Sequence, residues 1–553
     1  MSLDLPQTGV DGRARLAALD RATREAEPTA ILEYKSAGAL LIVGESLKQA
    51  EPVAASLRGK LNCTVVITGE PPGQDRDDAV VFLLIDKLTG HLGNFVATVM
   101  TPNGERTVSE VTGRGKAPFD MVLDLGGRPL IDAEVRPPGY YAPGGDAHAL
   151  NAALEELPEM VGEFEKPKYF NYDPAICAHG NSGVEGCTRC LDACPTDAIK
   201  SLKEMIEVDP YLCQGGGSCA TACPTGAISY AYPTVSDLLE NVRLALKAYR
   251  DAGGERACAL FYDREAGAEQ VARISAAIPE TVIPFQIEEL GSLGMDAWFA
   301  ALAYGASHVA LLAVEKTPRS VLTEIEAQLE FAHAVLEGLG HAPARLALLS
   351  GLADEQIVTA LGELAPQPDL PPDAFMAVNE KRTNLRLALD FLYHNAPAPA
   401  DSAPLPQGAP FGEIQVNKEA CTLCMGCVSV CPSSALMDGK DKPQLRFIEW
   451  NCVQCGLCEK ACPETAITRN PRVLYKPELR NETRILNEEA PFCCVVCGKP
   501  FATNAMMERI TSKLKDHWMY QNEDALKRLK MCEDCRVKDM YASEMGIDIY
   551  NKH

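Results

Sequence analysis

Two runs near the carboxyl end, CTLCMGCVSVCP (421–432) and CVQCGLCEKACP (452–463), repeat the spacing C-x2-C-x2-C-x3-C-P. Thiolates at that spacing on a short loop wrap an iron–sulfur cube, and the fourth cysteine of each run ligates the other cluster. Cys421, Cys424, Cys427 and Cys462 are therefore expected to hold one [4Fe-4S] cluster, and Cys431, Cys452, Cys455 and Cys458 a second. C-x2-C pairs also build zinc sites. Two interlocked runs, each closed by a proline, favour iron.

An altered form of the pattern occurs earlier. In Cys177-x9-Cys187-x2-Cys190-x3-Cys194-Pro195 the segment AHGNSGVEG is inserted after the first cysteine, and Gly180, Gly183 and Gly186 let that loop bulge. The run CQGGGSCATACP supplies Cys213, Cys219 and Cys223, but Gly216 stands where the second ligand belongs. By the crossed rule Cys177, Cys187, Cys190 and Cys223 form a third [4Fe-4S] site, while Cys194, Cys213 and Cys219 form a site of three thiolates. Three readings of that site stay open. It holds a [3Fe-4S] cluster; or it holds an incompletely ligated [4Fe-4S] cluster with an oxygen on the bare iron, the one catalytic iron the chain would offer; or the position is vacant or takes a remote ligand such as His179. Each fourth cysteine opens one phrase, CPTDAI, CPTGAI, CPSSAL or CPETAI, which sets Ala198, Ala227, Ala435 and Ala466 where a small residue packs close to a cluster.

Further on, Cys494, Cys497, Cys532 and Cys535 make C-x2-C…C-x2-C, the four-thiolate set of a structural Zn2+. A fifth iron–sulfur centre is the alternative, and Cys493 is a spare thiol or a substitute for Cys494. Of the 22 cysteines only Cys63 and Cys258 then remain, both read as small core residues. Cysteines grouped as ligands suit a reducing compartment and not a disulfide framework.

The elements that must carry these loops are α/β in pattern. Apolar runs at 40–45, 64–69, 80–86 and 121–125 read as buried strands, with a helix over 46–61 and a turn-rich surface connection at 136–146. From 234 onward helices and strands alternate, the strands at 257–263, 281–287, 308–314 and 345–351. That order predicts a flavodoxin-like parallel sheet covered on both faces. Such a sheet offers a flavin site at the carboxyl ends of its strands, but no glycine-rich phosphate loop follows the first one, so docking or scaffolding is the role read for it. The expected fold class is multidomain α/β and α+β, with two dicluster bacterial-type ferredoxin modules, two α/β domains and a small four-cysteine metal domain at the carboxyl end. The expected boundaries are 1–160 for the first α/β domain, 161–233 for the module with the incomplete site and 234–395 for the flavodoxin-like domain. A Pro/Ala-rich linker follows at 396–410, then the complete module at 411–475 and the four-cysteine zinc-type domain at 476–553.

The net charge of −24 carries no basic stripe and excludes nucleic acid as a partner. Hydrophobic content of 46% permits sizeable cores. The start MSLDLPQTGVDGRARLAAL has no signal-peptide core, and the most apolar long window, 295–314, is broken by Asp296, Gly305 and His308. A cytoplasmic protein without a membrane span is expected.

Several stretches support a resemblance: FEKPKYF through CAHGNSGVEGCTRCLDACPTDAI, VDPYLCQGGGSCATACPTGAI, EELGSLGMDAWFAALAYGASHVALL and the ending CGKPF…MCEDCR. They resemble large polyferredoxin-type 4Fe-4S proteins of proteobacteria, which are found with molybdenum- or tungsten-dependent formate dehydrogenases. The middle segment is also similar to the delta iron–sulfur subunit of methyl-viologen-reducing hydrogenase, although that subunit's cluster cysteines are not matched, since Cys258 stands alone. The resemblance implies electron transfer to or from a redox partner of the formate-dehydrogenase type; no residue shows formate chemistry, and no catalytic residue is assigned. A reductase using the open iron, or an iron–sulfur scaffold or assembly protein, is the rival expectation.

Overall fold

The structure is a computed structural model and describes residues 3–22, 28–69, 80–102, 104–368, 370–440 and 442–542; residues 1–2 and 543–553, at the ends of the first and last expected domains, lie outside it. Its first sheet is five parallel strands in the order Val80–Phe82, Asn62–Ile67, Ala39–Gly44, Met121–Asp124, Tyr140–Tyr141. The central strand ALLIVG is buried at every residue because both faces are covered, so its sequence shows no alternation. Helix Leu47–Leu57 covers one face through Ala50, Val53, Ala54 and Leu57. The run expected as one strand at 80–86 is split. Val80–Phe82 forms the sheet edge, and Ile85–Thr89 turns away into an antiparallel sheet with Val96–Thr101 and Gly104–Thr107 that covers the other face. The stretch 136–146, expected as a surface connection, supplies the opposite edge instead. Tyr140 there is buried, and its hydroxyl donates to Asp124 Oδ2 at 2.7 Å.

The second sheet has four parallel strands in the order Val282–Ile287, Cys258–Asp263, His308–Ala313, Leu346–Ser350. Reading the strands in chain order this is 2-1-3-4, which puts a topological switch point between the first and third. Helices Val235–Asp251, Met295–Ala303, Arg319–Gly338 and Lys381–His394 share the core on one face, and Ala266–Ile274 and Asp354–Gly362 that on the other. Helix Met295–Ala303 is buried all round, with Trp298 and Phe299 fully enclosed, as a helix apolar on every face must be. Helix Val10–Arg21, from the range expected as the first domain, packs on Val235–Asp251 through Ala14 and Ala18. Its buried Arg15 donates to the carbonyls of Pro279 (2.8 Å), Val282 (3.2 Å) and Pro6 (2.6 Å).

Each cluster module is built from two short antiparallel pairs. In the first, Phe170–Tyr172 pairs with Ile228–Tyr230, and Ile199–Ser201 with Ile206–Val208. In the second, Gly412–Val416 pairs with Ile467–Leu474, and Leu436–Asp438 with Gln444–Ile448. The Pro/Ala-rich stretch 396–410 runs against the second module, where Ser402–Pro404 adds a strand to Ile467–Leu474 and Leu405 and Ala409 are buried. Beyond it a hairpin, Pro491–Cys493 with Pro500–Thr503, leads to three helices ending at Ala542. No helix among the described residues is long and apolar enough to cross a membrane.

Candidate iron–sulfur sites

In the second module one cavity is lined by Cys421, Cys424, Cys427 and Cys462, and a separate one by Cys431, Cys452, Cys455 and Cys458. Each therefore gathers three thiols of one run and the fourth of the other. The loops achieve this through their backbone. Residues two and four places after the first cysteine are left-handed in both runs: Leu423 (φ 52°) and Met425 (60°), then Gln454 (54°) and Gly456 (84°). Alternating hand turns successive N–H groups into a concavity suited to an anionic cluster. Gln454 also donates its side-chain N–H to Cys452 Sγ at 3.3 Å, and the Ala466 amide donates to Cys462 Sγ at 3.3 Å. Burial pushes the Cys427 and Cys452 thiols up to about 12, with neighbouring cysteines adding to the rise. Thiols so disposed give up protons only to a metal that replaces them. Four convergent sulfurs in an apolar nest, with N–H donors aimed at them, fit a cube.

The second run of the first module repeats the geometry. Gly215 (φ 84°) and Gly217 (76°) occupy the same two left-handed places after Cys213, which sets Gly216 in the position of Cys424 and Cys455. The third residue after every fourth cysteine is left-handed as well: Asp197, Gly226, Ser434 and Thr465, at φ 50–80°. Cys190 lies among Cys177, Cys187 and Cys223, each raising its thiol further above the shift that burial causes. Cys219 in turn lies beside Cys213 and Cys194. Burial lifts Cys187 to about 11, with Cys223 of its own module and Cys455 of the other adding to the rise. His179, considered as a remote ligand, is engaged at both nitrogens: Nδ1 lies 2.8 Å from the Cys187 carbonyl and Nε2 2.7 Å from the Ser201 hydroxyl. It is buried and props the Cys187 loop.

Residues 185–227 and 413–463 each match a 4Fe-4S dicluster domain. Ferredoxin-1 of Caulobacter vibrioides is 31% identical over 109 residues, which make up 18% of this chain and 88% of that protein. The chain belongs to the ferredoxin family. This ferredoxin is also similar to the Ferredoxin-like protein in nif region of Rhizobium leguminosarum bv. trifolii, 38% identical over 56 residues, 10% of this chain and 86% of the other. One polypeptide of the polysulfide reductase of Wolinella succinogenes is 32% identical over 116 residues, 20% of this chain, which spans 60% of that relative's length. Iron–sulfur electron transfer is thus the chemistry of the region that holds the four loops.

Other residues of the ferredoxin serve these loops without a signal in the spacing. Lys166 donates to the carbonyls of Tyr211 (3.0 Å) and Cys213 (2.7 Å) and lies over the Tyr34 ring; burial lowers its ammonium to about 8 although Cys213 and Asp209 oppose the shift. Hydroxyls two residues past the fourth cysteine approach its sulfur: Thr196 to Cys194 at 3.4 Å, Thr225 to Cys223 at 3.5 Å and Ser433 to Cys431 at 3.7 Å. The CPT and CPS phrases contained that signal, and the fourth phrase replaces it with Glu464, which pairs with Arg509. Three of the four phrases thus set a hydroxyl beside their cysteine sulfur, whereas Cys462 takes the Ala466 amide.

A cleft of about 730 Å³ lies at the carboxyl ends of the second sheet's strands, lined by Asp263, Arg264, Glu289 and Lys316 and, from the first module, by Pro195 and Gly216. Asp263 Oδ1 accepts from the amides of Glu265 (3.0 Å) and Gly267 (2.9 Å), so a carboxylate already sits at the helix start that a nucleotide phosphate would use. Burial pushes Glu289 up to about 7, with Asp263, Glu265 and Glu288 adding and Arg264 opposing. At the other end of the chain the sulfurs of Cys494, Cys497, Cys532 and Cys535 lie within 4.8 Å of one another, Cys497 and Cys532 at 3.6 Å. Cys493 is exposed and outside the set.

Proposed function

We propose that this ferredoxin relays single electrons through four clusters: [4Fe-4S] at Cys421/Cys424/Cys427/Cys462, at Cys431/Cys452/Cys455/Cys458 and at Cys177/Cys187/Cys190/Cys223, and a [3Fe-4S] or open-cornered [4Fe-4S] centre at Cys194/Cys213/Cys219. The observation that carries this reading is the backbone shared by three of the loops, in which Gly216 stands between the same pair of left-handed residues as Cys424 and Cys455 while lacking their sulfur. When bound, such clusters supply reversible electron storage at potentials set by burial and N–H donors. The protein's part is to fix the thiolates, exclude water from them and present partner surfaces. Resemblance supports a formate-dehydrogenase-type enzyme as donor or acceptor, and cysteines grouped as metal ligands support a reducing, cytoplasmic setting. The set Cys494/Cys497/Cys532/Cys535 is read as a Zn2+ site that closes the carboxyl-terminal domain. Anaerobic reconstitution, iron analysis and EPR of the oxidised chain test the reading. About fifteen irons and a near-isotropic three-iron signal are expected (three cubes of four, plus three). A colourless chain holding only zinc would sink it.

A second reading is favoured by one observation, the cleft beside Gly216. At about 730 Å³ it has the size of a small-molecule site. An iron left bare at that corner would face a ligand there, making the chain a reductase component. Shifts of the EPR signal of this centre on adding candidate oxidants would favour it over pure transfer.

A further inference from the structure

The insertion after Cys177 touches both modules. It folds as a hairpin, Gly180–Asn181 against Val184–Glu185, with left-handed Ser182 (φ 53°) and Gly183 (77°) at its turn. Its own module holds it from below, where the Gly183 amide donates to Glu204 Oε1 at 2.6 Å and His179 bridges the Cys187 carbonyl and Ser201. Its far side meets the other module. Lys460 Nζ donates to the Glu185 carbonyl at 2.8 Å, and Asn181 Nδ2 to the Ser429 carbonyl at 3.4 Å. Gly186 is pressed so near Leu457 that a Cβ would stand 2.7 Å from its Cγ, and 2.6 Å from the Ala178 carbonyl oxygen. Gly186 directly precedes Cys187, and Leu457 lies between Cys455 and Cys458. The contact therefore joins ligand loop to ligand loop.

A second pair of residues spans the same seam. Lys381 Nζ donates to the carbonyls of Ala220 (2.9 Å), Thr221 (2.5 Å) and Cys223 (3.1 Å) in the first module. Its neighbour Arg382 lies 4.7 Å over the Trp450 ring and 4.9 Å over that of Phe411, and donates to the Pro410 carbonyl at 3.2 Å beside the second. Adjacent cations at one helix start thus grip opposite modules.

We propose that the insertion is a clamp: with Lys381 and Arg382 it seats the Cys187 loop against the Cys455 loop, so that the four sites form one row, not two separate pairs. The row ends at Gly216, on the cleft, and at the exposed Cys424. The inference rests on the relay reading and gives it a path: electrons pass between the end beside Cys424 and the end beside the cleft, crossing between modules at this seam.

The test compares the full reconstituted chain with one in which 178–186 is cut to two residues, restoring C-x2-C, and with Lys460→Met. Iron content and the EPR of the fully reduced protein are read, together with amide hydrogen exchange over 180–187. The shortened chain is expected to keep its iron and lose the spin–spin broadening between modules, leaving only that within each. Lys460→Met, which spares every thiol and removes one charge-assisted bond, is expected to speed exchange at Val184 to Gly186 about tenfold and weaken the same broadening. Should the shortened chain fail to load, Lys460→Met decides alone. Unchanged broadening and exchange in a fully loaded protein overturn the clamp and leave the relay standing. A parent chain that takes up no iron overturns the relay itself.

Discussion

The α-carbon of Gly291 faces the carbonyl oxygen of Gly216 so closely that a Cβ would stand 2.3 Å from it. The loop Leu290–Ser292 of the second sheet is thereby pressed onto the loop between Cys213 and Cys219, and Thr221 Oγ1 donates to the Gly291 carbonyl at 2.6 Å alongside. Three glycines in a row at 215–217 allow that approach. Gly291→Ala is expected to destabilise the chain by about 1–3 kcal/mol through forced separation of the two loops. The signal of the three-cysteine centre should change while the other three are unmoved, as EPR and thermal unfolding of the loaded protein would reveal.

Gly216 itself can take a side chain if Pro195 gives way by a few tenths of an ångström. Its nearest neighbour to an added Cβ is Pro195 Cγ at 3.3 Å, and its backbone is not left-handed. Gly216→Cys is therefore expected to fold and complete a cube. Iron should rise by about one per chain and a three-iron signal should vanish. Unchanged spectra would count against the assignment of Cys194, Cys213 and Cys219 to one cluster.

Glu289 gives the cleft a pH dependence. Its ordinary value of 4.5 is pushed to about 7 by burial first, then by Asp263, Glu265 and Glu288. The folded chain binds a proton there that the unfolded chain has already lost, so this group's contribution is full below about pH 4.5 and falls away as pH rises to about 7. Glu289→Gln should flatten that segment of the stability curve and gain about 1–3 kcal/mol at pH 8. Chemical denaturation at pH 5 and pH 8 measures both.

If Cys494, Cys497, Cys532 and Cys535 hold the Zn2+ proposed for them, its removal should act locally. A chelator, or Cys532→Ser, is expected to release about one Zn2+ per chain and leave the iron count intact. The helices between Asn504 and Ala542 should become open to protease, since the only described core cluster there is Cys494, Met531 and Cys532 with Phe501 and Cys535 against it. An iron count that falls with the zinc would argue for a fifth iron–sulfur centre.

What the sequence made legible follows from how local each constraint is. Reach from a short loop to one cluster fixes the spacing of its cysteines, so the cavities around Cys421 and Cys452 were readable residue by residue. Strands buried on both faces, such as 39–44 and 258–263, announced themselves as unbroken apolar runs. Contacts between surfaces left no such periodicity. Tyr140 looked like part of a turn because an edge strand of two residues carries no pattern, and its burial depends on Asp124 sixteen residues away. His179 looked like a remote ligand because its partners, Cys187 and Ser201, are brought to it by the folded hairpin. Lys166 and Lys381 carry no motif, yet both donate to carbonyls of the cysteine loops, Cys213 and Cys223.

The placement of helix Val10–Arg21 also governs how the molecule can be divided. A fragment cut at 234 would present Ala245, Leu246 and Tyr249 to water where Ala14 and Ala18 now shield them, and would strip Glu280 of the amides of Thr8, Gly9 and Gly12. Excising the middle sheet at its apparent border thus yields a sticky, half-finished piece, whereas supplying residues 3–22 alongside it, on a separate peptide or by circular rearrangement, should restore its solubility.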